Sequence, residues 1–252
     1  MINTKKTIMK KIAIFLLMAF NISLQAQTVK IAAAGNLRYI LDDIKAGYAK
    51  ITPKATIIVN LGSSGALFQQ IVNGADYDIF MAADKVFPDK LKAQGIVTGD
   101  VKTYAFGKLV IWSNTIDVSK GIDVIFSKEV NRIAIAKPEL APYGNRAIEC
   151  LKYYNYFDKV KDKIVYADNI AQAAQFAQTG NAEIGFLALA LAMAPDMKGK
   201  YFILDTKSYK PVEQAMVLMK SWQRNPEAAK FMKYVLSAEC KPIFEKYGFI
   251  IQ

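Results

Sequence analysis

Along most of the chain, short apolar runs alternate with segments in which apolar residues recur every three or four positions. Val29 to Ala34 reads as a buried strand, and Leu37 to Lys50 sets Ile40, Leu41, Ile44 and Tyr48 on one helical face. Ala55 to Leu61 predicts the next strand, followed by Gly62-Ser63-Ser64-Gly65 and a helix through Leu67, Phe68 and Ile71. Asp78 to Ala83 and Phe87 to Gln94 repeat the unit. A second set starts with the strand Lys108 to Trp112 and continues with Arg132 to Ala136, a helix from about Asn145, Lys163 to Tyr166, a helix from Ile170, and Glu183 to Leu187. The strand Val212 to Met219 and helices over Pro226 to Leu236 and Glu239 to Tyr247 close the chain. This order predicts an α/β protein whose sheets are mixed, mostly parallel and flanked by helices.

No low-complexity linker or fixed-period repeat divides the chain. Two lobes would therefore be joined by ordered strands, with crossings expected near Phe106 to Lys108 and Lys210 to Val212. The expected organisation is residues 27–107 with 212–252 as one lobe and 108–211 as the other.

The amino terminus breaks the pattern. Lys5, Lys6, Lys10 and Lys11 precede an apolar stretch from Ile12 to Leu24, and Leu24-Gln25-Ala26 ends it on a small residue. That is the order of a secretory signal peptide, too short for a comfortable membrane span, with cleavage expected after Ala26 and a periplasmic destination. Removing residues 1–26 lowers the net charge from +11 to +7. The remaining charges are scattered, without the clustered Lys and Arg and interleaved aromatics of a nucleic-acid interface, so no nucleic-acid partner is expected.

The 252 residues contain no histidine. A Ser-His-Asp triad, a Cys-His dyad, a His-ligated zinc and an HExxH helix are all excluded. The two cysteines, Cys150 and Cys240, are as compatible with buried thiols as with a disulfide, and neither stands at the cleavage site where a lipid anchor would be attached.

The informative chemistry lies at four strand-to-helix junctions: Gly35-Asn36, Gly62-Ser63-Ser64-Gly65, Pro142-Tyr143-Gly144-Asn145 and Asp168-Asn169-Ile170. Each joins small or amide-bearing residues to a helix start, where unpaired N–H groups and the positive end of the dipole favour an anion. Any one of them reads first as an N-cap, Asn36 and Asp168 included. Four together, two in each half, suggest two walls of one crevice beyond the carboxyl ends of the strands. Asp84, after Met81-Ala82-Ala83, reads as a helix cap, and Lys108, Arg38 and Arg146 as surface charges or sources of steering potential.

The segments VKIAAAGNL, LGSSGALFQQI, GADYDIFMAAD, FGKLVIWS, IAIAKPELAPYGNRAIECL, DNIAQAAQFAQTGNAEIGFLAL and FEKYGF, in order from Val29 to Ile251, resemble the molybdate-binding proteins of ABC importers. The resemblance implies a two-lobed periplasmic-binding fold of type II that closes on molybdate or tungstate and delivers it to a membrane permease. It implies no catalysis and no cofactor, a monomer, and molybdenum present only within the bound oxyanion. Carried over position by position, the expected ligand-binding residues are Gly35, Asn36, Ser63, Ser64, Tyr143 and Ile170, with the last two acting through backbone N–H groups. Ser64 is the stronger hydroxyl candidate, and Ser64→Ala is expected to weaken binding while leaving the unliganded stability nearly unchanged. One position departs from the family pattern: some members carry a ligand tyrosine where this chain has Ala188.

Two other functions compete with this one. A carrier for an organic acid would want an Arg or Asp clamp at the junctions, which are neutral. A serine hydrolase lacks both GxSxG spacing and a histidine base, leaving only a Ser-Lys arrangement. Another oxyanion such as sulfate is a third alternative, because donors alone do not separate it from molybdate.

Overall fold

The computed structural model describes residues 28–220, 223 and 225–251. The leader and its cleavage point lie outside them. Strand β1 (Thr28–Ala34) carries one charge, Lys30, and its Val29, Ile31, Ala32 and Ala33 are fully buried. A strand covered on both faces belongs in the interior of a sheet. β2 (Thr56–Gly62) and β3 (Ile79–Ala82) pair with it in parallel on its two edges. β10 (Val212–Met219) then runs antiparallel to β3, and β4 (Val97–Gly107) antiparallel to β10, giving the order β2-β1-β3-β10-β4.

Alternation of side chains along the strands divides the first core in two. Ile31, Ala33 and Met81 face α1 (Arg38–Ile51), α8 (Pro226–Val235) and α9 (Lys241–Lys246). Ala32, Phe80 and Ala82 face α2 (Ser64–Val72) and α3 (Val86–Ala93) through Leu67, Phe68, Ile71 and Leu91. The predicted face of α1 is the buried one, with Ile40, Leu41, Ile44 and Tyr48 inside.

The second sheet has the order β7-β6-β8-β5-β9. β6 (Ile133–Ala136) pairs in parallel with β7 (Ile164–Ala167) and β8 (Ile184–Ala188), and β5 (Leu109–Ser113) runs antiparallel to β8 and to β9 (Lys200–Ile203). Helices α4 (Pro142–Tyr153), α5 (Phe157–Val160), α6 (Ile170–Gln178) and α7 (Leu189–Ala192) complete the set. Four strands of each sheet point one way. The reversed ones are β5 and β10, which each follow a passage of the chain from one sheet to the other. Each lobe is thus a mixed, mostly parallel sheet flanked by helices.

Strands β4 and β9 carry no clear sequence signal. β4 is an edge strand, half exposed, interrupted by Gly99 at φ +76 and by register shifts against β10, so it lacks both a continuous apolar run and a clean alternation. β9 is also an edge, and three of its four residues are exposed. Helix α4 begins at Pro142 rather than near Asn145, because a proline at the first helical position costs no hydrogen bond there. Cys150 and Cys240 are free thiols in separate apolar clusters, and burial raises each to about 11.

Candidate functional site

In a parallel sheet every strand delivers its chain to the same edge, so the residues after β1, β2, β3, β6 and β7 gather between the lobes. A small cavity of about 10 Å³ lies there. Gly35, Asn36, Ser63, Ser64, Tyr143 and Ile170 all line it, together with Ala83 and Pro142. It is far too small for a drug-sized ligand, which suits a small ion. The larger hollows along β4 share no residue with the four junctions.

The first-lobe wall is made of side chains. Ser63 is the N-cap of α2 and accepts the Ala66 N–H at 3.4 Å. Ser64, one residue on and fully buried, accepts the Ala83 N–H at 3.0 Å. A hydroxyl that accepts from the backbone keeps its own proton to donate. Asn36, 1% exposed, gives its amide N–H to the Gln214 side chain at 2.8 Å, and no partner for its Oδ1 exists among the described residues. It caps no helix.

The second-lobe wall is backbone. Pro142 and Tyr143 open α4, whose preceding residue Ala141 supplies no side-chain cap. Asn169 caps α6 by accepting the Gln172 N–H at 3.0 Å, which leaves Ile170 as its first helical residue. Among the described residues no acceptor takes the N–H of Tyr143 or of Ile170. Asp168 is not the cap that it resembled in the sequence. Its carboxylate instead takes Lys137 at 2.7 Å.

The walls touch. Gly65 N–H donates to the Leu140 carbonyl across the cleft at 2.8 Å, and a Cβ on Gly65 would sit 2.9 Å from Leu140 Cα. Tyr39 of α1 donates to Asp196 of the other lobe at 2.6 Å, and Ala34 and Ala83 pack within the second lobe's apolar cluster.

The family model of the bacterial extracellular solute-binding proteins matches residues 29–250. The chain belongs to that family. It is 34% identical over 233 residues to the molybdate-binding protein ModA of Azotobacter vinelandii, covering 90% of this chain and 92% of that one. The Rhodobacter capsulatus protein of the same name is 31% identical and covers 95% of each chain. The solved structure of the Azotobacter vinelandii periplasmic molybdate-binding protein matches with a TM-score of 0.83 at 32% identity, over 89% of this chain and 99% of that one. This is therefore a binding protein and not an enzyme, built on the two-lobed fold of such carriers.

Charge in this solute-binding protein is kept off the cavity lining. Arg146 is not part of the lining; its side chain is 13% exposed and bound to Glu149 at 2.9 Å and Asn145 at 3.1 Å, so it is no solvated surface charge. Arg38 is exposed and Lys108 half-buried. Asp84, one residue before the N-cap Lys85 of α3, accepts the Phe87 N–H at 3.3 Å. Burial raises its pKa, with the Phe87 N–H and Arg146 opposing. Among the described residues no group of three or more Cys, Asp or Glu could hold a metal cation.

Two features escaped the sequence. Gln214, fully buried in β10, reaches Asn36, Tyr104 and Tyr143; its only signal was an uncharged polar residue in an otherwise apolar stretch of that strand. The second is the Ser64–Ala83 bond, which overturns the expectation that Ser64→Ala leaves stability unchanged, because truncation strands a buried N–H. Ala188, at the position of the family's tyrosine, pairs with Leu109 and is outside the cavity lining.

Proposed function

We propose that this chain captures molybdate or tungstate between its lobes and delivers it to the membrane permease of an ABC importer. The observation that carries the reading is the convergence of uncharged donors from both lobes on one small cavity: the Ser63 and Ser64 hydroxyls, the Asn36 amide, and the N–H groups of Tyr143 and Ile170. The names of the relatives that match almost the whole chain supply the ligand class.

A dianion needs no guanidinium when several charge-assisted hydrogen bonds and helix dipoles share its compensation. A protonated phosphate would bury an O–H that wants an acceptor, and leaving such a group unpaired costs about 1–3 kcal/mol. Sulfate carries no such proton and must be rejected by cavity size. An organic-acid carrier is less well supported, because nothing charged lines the cavity.

In this reading residues 27–107 with 212–252 form one lobe and 108–211 the other, and they close about the strands near Phe106 to Lys108 and Lys210 to Val212. The mature protein starts after Ala26 and works in the periplasm as a monomer without a resident cofactor. Isothermal titration of the purified protein with molybdate, tungstate, sulfate and phosphate tests the reading. Tight binding of the first two and weak binding of the others is expected, and failure of both molybdate and tungstate to bind would sink it.

A further inference from the structure

Gln214 lies under the cavity where the chain re-enters the first sheet, and its amide is the hub of a buried polar cluster spanning both lobes. Its Oε1 receives the Asn36 amide at 2.8 Å and stands 3.0 Å from the Tyr104 hydroxyl, while its Nε2 donates to the Tyr143 hydroxyl at 3.1 Å. The Tyr104 hydroxyl also lies 2.9 Å from the Ala82 carbonyl. In this arrangement the hydrogens do not balance. Tyr104 has one proton for two acceptors, and Asn36 Oδ1, on a side chain 1% exposed that lines the cavity, has no donor among the described residues.

The oxygen and nitrogen of a side-chain amide are nearly isosteric, so exchanging them in Asn36 and Gln214 together keeps every heavy atom in place. After the exchange Gln214 Nε2 donates to both Asn36 Oδ1 and Tyr104, Tyr104 gives its single proton to Ala82, and Tyr143 donates to Gln214 Oε1. Each protein group in the cluster is then satisfied except the Asn36 NH2, which needs an acceptor that an oxyanion in the cavity supplies. We infer that Gln214 is a positioning and specificity-determining residue: it holds the Asn36 carbonyl away from the cavity, so that the site presents an N–H donor to a fully deprotonated oxyanion and no acceptor to a protonated one.

The inference rests on the oxyanion-carrier reading. It follows that Gln214→Met, which keeps the length and removes the polarity, lowers molybdate affinity about tenfold to a hundredfold, as expected for a hydrogen bond to a charged group. The same change narrows the preference for molybdate over hydrogen phosphate, because the released Asn36 amide can turn its oxygen to the ligand. A second readout uses the wild-type protein: the side-chain NH2 signals of Asn36 in a 15N–1H correlation spectrum, identified by their loss in Asn36→Ser, shift on saturation with molybdate. Tight wild-type binding with unmoved Asn36 signals overturns the proposal while leaving the carrier reading intact, as does a Gln214→Met protein with wild-type affinity and preference. A Gln214→Met protein that fails to fold leaves the decision to the wild-type spectrum. Wild-type protein that binds neither molybdate nor tungstate overturns the carrier reading, and this proposal with it.

Discussion

The two walls of the cleft offer hydrogen-bond donors by different means. The first lobe uses side chains, Asn36 and the Ser63-Ser64 pair, each held by further bonds to the backbone or to Gln214. The second lobe uses the opening turns of α4 and α6, where the orphan N–H groups of Tyr143 and Ile170 belong to the helices themselves. The first wall is therefore sensitive to residue identity. The second tolerates any side chain that packs, provided that the nitrogen carries a hydrogen.

The sharpest way to break this comparison is Ser64→Ala. Loss of a charge-assisted donor, at about 1.5–3 kcal/mol, should weaken oxyanion binding about tenfold to a hundredfold. The stranded Ala83 N–H should also cost the unliganded protein about 1–3 kcal/mol in chemical denaturation. Unchanged affinity would show that Ser64 serves only to hold the Ala83 loop.

A smaller effect is expected on the other wall. Ile170→Val keeps the N–H and should bind within about twofold of wild type, whereas Ile170→Pro removes it and should lose about tenfold. Proline is tolerated at this first helical position, and the preceding Asn169 already has the extended backbone that proline requires, with φ -153 and ψ 172. Since the Ile170 side chain is buried, the proline protein will also be somewhat less stable, and its affinity is measured well below its melting temperature. Equal affinity for the valine and proline proteins would remove the backbone donor from the account.

The smallest expected effect is that of pH. Burial pushes the Tyr104 and Tyr143 phenols well above their ordinary value, so both keep their protons, and no histidine exists to titrate. Affinity measured from pH 8 to about 6 should be flat. Stability carries a contribution from Asp84 whose sign is opposite to that of Asp43, Asp100, Asp117, Glu183 and Glu239, carboxyls held below their ordinary values by hydrogen bonds. Because burial raises its native pKa above the unfolded value, the native state binds the proton more readily, and this group adds stability as pH falls from above its raised pKa towards 3.8. Asp84→Asn should abolish that contribution in denaturation curves taken across the interval.

Much of this was legible in the residues. The alternation of apolar runs and periodic segments marked the interior strands and long helices, because these elements bury one face or both. The four junctions stood out because small and amide-bearing residues recur at four helix starts, although any one of them alone reads as a cap. The edge strands β4 and β9 were not legible, since half-exposed edges need neither pattern. Nor could the sequence say that Asn169 rather than Asp168 caps α6, which depends on Lys137 standing across from the aspartate.

By itself the sequence determined the layer architecture, the absence of imidazole chemistry, and a set of neutral donors at helix starts, all properties of local pattern and residue type. Only the tertiary structure decided that those donors share one cavity, that Ser63 caps while Ser64 ties down Ala83, and that Gln214 governs Asn36. The last pair is 178 residues apart. No local preference fixes such a contact; it exists because two sheets, each built from its own apolar core, bring their carboxyl edges together.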